Sequence, residues 1–224
     1  MTADRAPAAG RAPAADPTPA ADPTPAAPLE FWFDFSSPYA YFASLAVEGV
    51  AARHGRSVLW RPFMLGVAFK RTGMTSLSRT PLRGDYARKD WARLARRAGV
   101  AFRLPPGHPI TALPASRAFY WLERVEPARA APFAKAVFHA YFVENQDLTG
   151  AAGVAAVAAG LGLDPARVAA AVEEPEIKAL FTRRTQEAIG RGVFGSPFFF
   201  VDDEPFWGSD RLPVIEEWLA RGGW

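Results

Sequence analysis

Phe31, Phe33 and Phe35 alternate with Trp32 and Asp34, a pattern rich in aromatics that predicts a strand. It breaks at Ser36-Ser37-Pro38, and Tyr39 to Ala46 then reads as helix. Serine suits an N-cap and proline the first helical position, so Ser37 is expected to cap this helix. Gly55 ends the helix, and Ser57 to Pro62 forms a second short strand. Two strands joined by one helix make a right-handed parallel crossover. Phe63 to Lys70, aromatic and apolar, leads into a polar loop through Arg79-Thr80-Pro81. Loops over the C-terminal ends of such strands are where ligands usually bind.

From about residue 85 to 192 the periodicity is almost entirely helical. Asp85 is placed to cap a helix running to Ala98, with Trp91, Leu94 and Ala95 inside and a basic outer face that reads as a solvated surface. Further helices are expected at Ala115 to Glu126, Ala130 to Glu144, 151–160, 165–172 and Pro175 to Gly190. The aromatics Phe133, Phe138, Tyr141 and Phe142 read first as core. Phe198 to Val201, a turn at Asp202-Asp203 and Glu204 to Trp207 then make a hairpin, and Gly208-Ser209-Asp210 caps a last helix from Leu212 to Ala220. The layout βαβ, helices, ββα is α/β: a thioredoxin-like domain (29–63 and 186–224) interrupted by a large all-helical insertion (64–185). Residues 1–28, with two copies of a Pro-Ala-Ala-Asp-Pro-Thr unit, lack apolar bulk and are expected to be a disordered, dispensable tail. They hold no apolar stretch of the secretory kind.

Composition narrows the chemistry. Half of the 224 residues are hydrophobic, enough for a sizeable core. There is no cysteine, which removes disulfides, thiolate metal sites and any protein thiol nucleophile, and which fits a reducing, cytoplasmic setting. His54, His108 and His139 are scattered without ligand-like spacing, so no metal site is expected. A net charge of +3 leaves little footprint for nucleic acid, and no apolar run approaches the roughly 20 residues that span a bilayer.

The strand, turn and helix N-terminus at Ser37 is how a thioredoxin-like fold presents its reactive group, normally a cysteine. Four motifs then occur in order: Phe33-Asp-Phe-Ser-Ser-Pro-Tyr39, Arg61-Pro-Phe63, Gly192-Val-Phe-Gly-Ser-Pro197 and Trp207-Gly-Ser-Asp-Arg-Leu212. Together they resemble the 2-hydroxychromene-2-carboxylate isomerases of the DsbA-like, kappa-class glutathione transferase superfamily, over about residues 29 to 221. The resemblance implies glutathione as cofactor, with Ser37 against its sulfur, so that the missing thiol is imported. A hydroxyl hydrogen bond to a thiolate is worth roughly 1.5–3 kcal/mol. That lowers a thiol pKa by about 1–2 units, from near ~8.5 towards neutrality.

The resemblance also implies that Ser196-Pro197 is a cis bond exposing the Ser196 backbone to the cysteinyl unit. Ser209 and Asp210 would hold the γ-glutamyl end, while also serving as a plain helix cap, and Arg83 would pair with a glutathione carboxylate. Relatives often carry asparagine near the positions of Met74 and Thr111, a departure that bears on substrate contact. The implied activity is a glutathione-dependent isomerisation of an aromatic-ring breakdown product: thiol addition, ring opening, rotation and elimination. Its partner is a small aromatic carboxylate, with no nucleic acid or membrane, and relatives are usually dimers. A kappa-like transferase or peroxidase, and a non-catalytic thioredoxin-like binding module, are the alternatives.

Overall fold

The computed structural model describes residues 26–224. Most of the repeat-bearing segment, and the expectation of disorder for it, therefore lies outside the described residues. Four strands form one sheet in the order β2-β1-β3-β4, from β1 (Leu29–Phe33), β2 (Val58–Pro62), β3 (Phe198–Val201) and β4 (Glu204–Trp207). β1 runs parallel to β2 and antiparallel to β3, with Phe31 opposite Trp60 on one side and Phe199 on the other. It is thus an inner strand, as its aromatic alternation demands.

The period of two divides those aromatics between two faces. Phe31 stacks on Phe199 at 5.3 Å between ring centroids and meets the edge of Trp60 at 5.1 Å. Phe33 continues that face and touches Phe119 and Phe138. Those rings come from α5 (Leu113–Val125) and α6 (Pro127–Phe142), which cover it. Trp32 points the other way, into a smaller cluster with Phe63, Ala68, Ala188, Phe198 and Phe200. Here α3 (Leu65–Thr72) and the end of α9 (Pro175–Gly190) supply the cover. Each buried aromatic contributes roughly 1.5–3 kcal/mol, which fixes the position and register of β1.

Three helical expectations are revised. The first helix is two, α1 (Pro38–Ser44) and α2 (Val47–Arg53). At the break, the Ser44 hydroxyl donates back to the Tyr41 carbonyl at 2.7 Å, a local bond that competes with the helix ladder. The Phe63–Lys70 stretch contains the helix α3, stopped by Gly73 in the left-handed conformation. α4 (Arg83–Ala98) starts two residues before Asp85, which lies in its first turn rather than capping it. The helices α7 (Ala151–Gly160) and α8 (Pro165–Ala171), and the C-terminal α10 (Leu212–Arg221), lie where the periodicity placed them. Fold class is α/β, a thioredoxin-like domain interrupted by a large helical insertion. Among the described residues, no helix is long and apolar enough to cross a membrane, and no acid or histidine cluster could hold a metal ion.

Candidate functional site

A short N-terminal strand, a three-residue turn and a helix start bring Ser37 to the mouth of α1. Its hydroxyl oxygen accepts from the Ala40 N–H at 3.2 Å, the N-cap bond expected of it. The same hydroxyl donates to the backbone carbonyl of Ser196 at 2.8 Å. The Ser196–Pro197 bond is cis, as expected. Ser196 reaches back as well, its own hydroxyl accepting from the Asp34 N–H at 2.9 Å. Ser37 and Ser196 therefore form one hydrogen-bonded unit. The expectation that the Ser196 backbone faces a ligand freely needs this correction: its carbonyl is engaged by Ser37.

Asp34 holds the turn from beneath. Its Oδ1 accepts from the Ser36 N–H at 2.8 Å and the Ser36 hydroxyl at 2.7 Å, and its Oδ2 from the Leu65 N–H at 3.0 Å. Burial pushes its carboxyl above the usual carboxylate range, and the bonds from Ser36 and Leu65 oppose that shift. Ser36 thus serves the support and Ser37 the mouth, although the two are adjacent.

Ser209 and Asp210 follow β4 in a 3₁₀ turn, Ser209–Arg211, that leads into α10. Neither side chain caps a helix, so the plain-cap alternative is set aside. The Asp210 carboxylate is 70% exposed and pairs with its neighbour Arg211 at 2.7 Å. The turn is tied to the cis-proline segment by the Gly208 N–H, which donates to the Pro197 carbonyl at 3.1 Å. Gly195 packs so closely under Trp207 that a Cβ there would lie 2.1 Å from the indole nitrogen. Any larger residue at 195 would have to displace that ring.

Arg83 comes from the opposite side, at the start of α4. A tight three-residue turn centred on Leu82 (φ 62°) precedes it, with the Arg83 N–H donating to the Pro81 carbonyl at 2.7 Å. The Arg83 guanidinium is exposed and has no carboxylate partner among the described residues.

All six of these residues, Ser37, Arg83, Ser196, Pro197, Ser209 and Asp210, line a single cleft of about 1790 Å³. Small-ligand sites usually measure roughly 300–1,000 Å³, so the cleft has room for two ligands side by side. The structure adds residues that the sequence did not single out. Tyr39 donates to Asp90 at 3.0 Å and stands edge-on to Trp91 at 5.9 Å, lining the wall beyond Ser37. Burial and Asp90 hold its phenol well above the ordinary range. His108, read as one of three scattered histidines, lines the cleft too. Its signal was faint: a histidine after Pro-Pro-Gly in a loop, with no partner within reach in sequence.

The sequence pattern of the DSBA-like thioredoxin domain matches residues 28–220. The chain belongs to the DSBA-like thioredoxin family. Within that family it is 29% identical to a Caenorhabditis elegans protein named glutathione S-transferase kappa 2, over 86% of this chain and 92% of that one. It is 28% identical to a 2-hydroxychromene-2-carboxylate isomerase of Sphingobium xenophagum, over 85% of this chain and 97% of that one. A solved 2-hydroxychromene-2-carboxylate isomerase superposes with a TM-score of 0.78 at 27% identity, covering 86% of this chain and 94% of that one. The chain is therefore related to isomerases and transferases built on this fold. Unlike thiol–disulfide exchangers of such a fold, it holds a serine at the helix mouth and no cysteine anywhere.

Proposed function

We propose that the chain is a glutathione-dependent isomerase of the 2-hydroxychromene-2-carboxylate type, acting on a small aromatic carboxylate in the breakdown of aromatic compounds. The observation that carries this is Ser37: a hydroxyl donor at a helix N-terminus, on a cleft large enough for two ligands, in a chain without a thiol of its own.

The donor set fits glutathione. Its ammonium would meet the exposed Asp210 carboxylate, one carboxylate the turn at Ser209, and the other Arg83, which has no carboxylate partner among the described residues. Ser196-Pro197 would hold its cysteinyl unit. Glutathione, when bound, supplies the thiolate that adds to a conjugated carbon and later leaves.

The chain's own part is positional and electrostatic. With glutathione bound, Ser37 would turn its O–H from the Ser196 carbonyl towards the sulfur, and the carbonyl so released would accept the cysteinyl N–H. One hydrogen bond is exchanged for two, and the N-terminus of α1 favours the negative charge. Asp34 keeps the Ser36-Ser37 turn rigid while this happens.

A kappa-like transferase or peroxidase has support from the nematode relative, and a non-catalytic binding module would use the same anchors. One experiment separates the three: turnover of a 2-hydroxychromene-2-carboxylate with and without glutathione, while free thiol is counted. The isomerase needs glutathione and leaves its amount unchanged. Loss of thiol with turnover favours the transferase or peroxidase. Binding of glutathione without turnover of the chromene, or of any thiol acceptor, leaves only the binding module.

A further inference from the structure

His108 has no part in the proposed binding of glutathione, yet it is built into the cleft wall. Trp91 of α4 meets its ring edge-on at 6.0 Å between centroids, and Tyr141 of α6 lies 6.1 Å away. Nδ1 is 3.1 Å from the Tyr141 hydroxyl. Among the described residues that hydroxyl has no hydrogen-bond partner other than Nδ1. A Tyr141 proton given to Nδ1 would leave the ring hydrogen on Nε2. Among the described residues Nε2 has no hydrogen-bond partner, and His108 lines the cleft. The charged groups facing the ring are Arg79, from the 3₁₀ turn Leu77–Arg79, and Arg88 of α4. With burial, which weighs most, they lower its pKa to about 4, so the imidazole is neutral near pH 7. Burial above all, with a smaller contribution from the Asp34 carboxyl, raises the Tyr141 phenol above its ordinary range.

We propose that His108 is a catalytic residue of this cleft, a neutral imidazole whose Nε2–H donates a hydrogen bond to the substrate oxygen that becomes negative when a nucleophile adds to its conjugated carbonyl, with Tyr141 as the positioning residue that fixes the tautomer. The nucleophile's electron pair forms the new bond to carbon. The displaced π pair comes to rest on the carbonyl oxygen and flows back when the nucleophile leaves. No proton leaves the imidazole and no bond to the protein forms. A neutral donor suits this task, because it stabilises the oxyanion without delivering a proton that would trap the adduct. The inference rests on the reading that a thiol adds to an unsaturated carbonyl compound here.

Two measurements test it on the full chain. The first needs no glutathione: binding of 4-nitrophenolate and of 4-nitroanisole, which lacks the anionic oxygen, followed by equilibrium dialysis. The wild type should prefer the phenolate by about tenfold, as a charge-assisted hydrogen bond predicts, and His108→Ala should abolish the preference. The second is turnover of the chromene carboxylate, where His108→Ala should lower kcat by about 100-fold and leave the KM for glutathione within about twofold. Tyr141→Phe should lower kcat less and move the acid limb of its pH profile upwards, because loss of the donor to Nδ1 makes the ring easier to protonate. His108→Gln, which keeps a donor, should retain part of both effects and serves if His108→Ala does not fold. Absence of a phenolate preference in the wild type overturns the proposal, and so does an unchanged preference in a folded variant. If the wild type leaves the chromene carboxylate untouched, the isomerase reading fails, and the nitrophenolate comparison alone decides the role of His108.

Discussion

Ser37→Ala separates the chemistry of the helix mouth from its architecture. The Ser37 hydroxyl already donates to the Ser196 carbonyl at 2.8 Å, so its value to a thiolate is a difference between two bonds. A hydrogen bond to a neutral acceptor nets about 0.5–1.5 kcal/mol and one to a charged group about 1.5–3 kcal/mol. The exchange is therefore worth about 1–1.5 kcal/mol, close to one pKa unit or a factor of about ten in rate. That is the lower end of what an uncommitted hydroxyl would give. Ser37→Ala also deletes the bond accepted from the Ala40 N–H, an N-cap contribution of about 1 kcal/mol. In a chain of this size that lowers the melting midpoint by about 2–4 °C.

Ser36→Ala should show the opposite signature. It takes a donor from the buried Asp34 carboxylate, at a cost of about 1–3 kcal/mol in stability, and leaves the sulfur's partner in place. The assay is the pH titration of the bound thiol by its ultraviolet thiolate absorbance, with thermal unfolding alongside. Ser37→Ala should raise the bound thiol's pKa by about one unit with a modest thermal loss. Ser36→Ala should leave the pKa in place with a larger thermal loss. Equal pKa shifts in the two variants, or none in Ser37→Ala, would refute the assignment of Ser37 as the thiolate's donor.

Other outcomes follow from the same geometry. Asp210→Ala should raise the KM for glutathione with little change in the melting midpoint, since its carboxylate is exposed; steady-state kinetics at varied glutathione checks this. Gly195→Ala places a Cβ 2.1 Å from the Trp207 indole and must displace that ring, costing about 1–3 kcal/mol and raising the KM for glutathione by disturbing the neighbouring Gly208-Ser209 turn. Unfolding measured between pH 4 and 7 should show an acid-side loss of stability tied to His108. The unfolded imidazole takes up a proton near pH 6.5 and the folded one only near pH 4, with Arg79, Arg88 and Tyr141 facing it. The contribution is therefore intact above about pH 6.5 and fades as pH falls through 4; His108→Gln should flatten that part of the curve.

Much of this arrangement was legible along the chain because it depends on local rules. Alternating aromatics marked β1, Ser37-Pro38 marked the start of α1, and the Asp202-Asp203 turn marked the hairpin. What escaped depends on long-range or side-chain events. The break after Ser44 comes from a hydroxyl bonding back to a carbonyl, against an otherwise continuous helical pattern. α3 hides in a short run that reads equally as strand or loop until Ala68 is seen packed in the cluster around Trp32. The engagement of the Ser196 carbonyl by Ser37 spans 159 positions, and spacing carries no trace of it. His108 gains its character from Trp91, Tyr141 and two arginines, all contributed by other segments.

The pairing of β1 with β3 has a consequence for how the protein is made. β1 lies near the beginning of the described chain and β3 near its end, with Trp32 opposite Phe198. Closing a loop of that length costs about 4–5 kcal/mol of chain entropy before any contact compensates for it. During synthesis, β1 can pair with β2 early, but its other edge waits until the last segment emerges. Until then Ser37 lacks the Ser196 carbonyl, Asp34 lacks the Ser196 hydroxyl, and the turn at Ser209 does not yet exist. A chain cut short after α9 would keep nearly every helix and the Ser37 motif itself, and still possess no binding site.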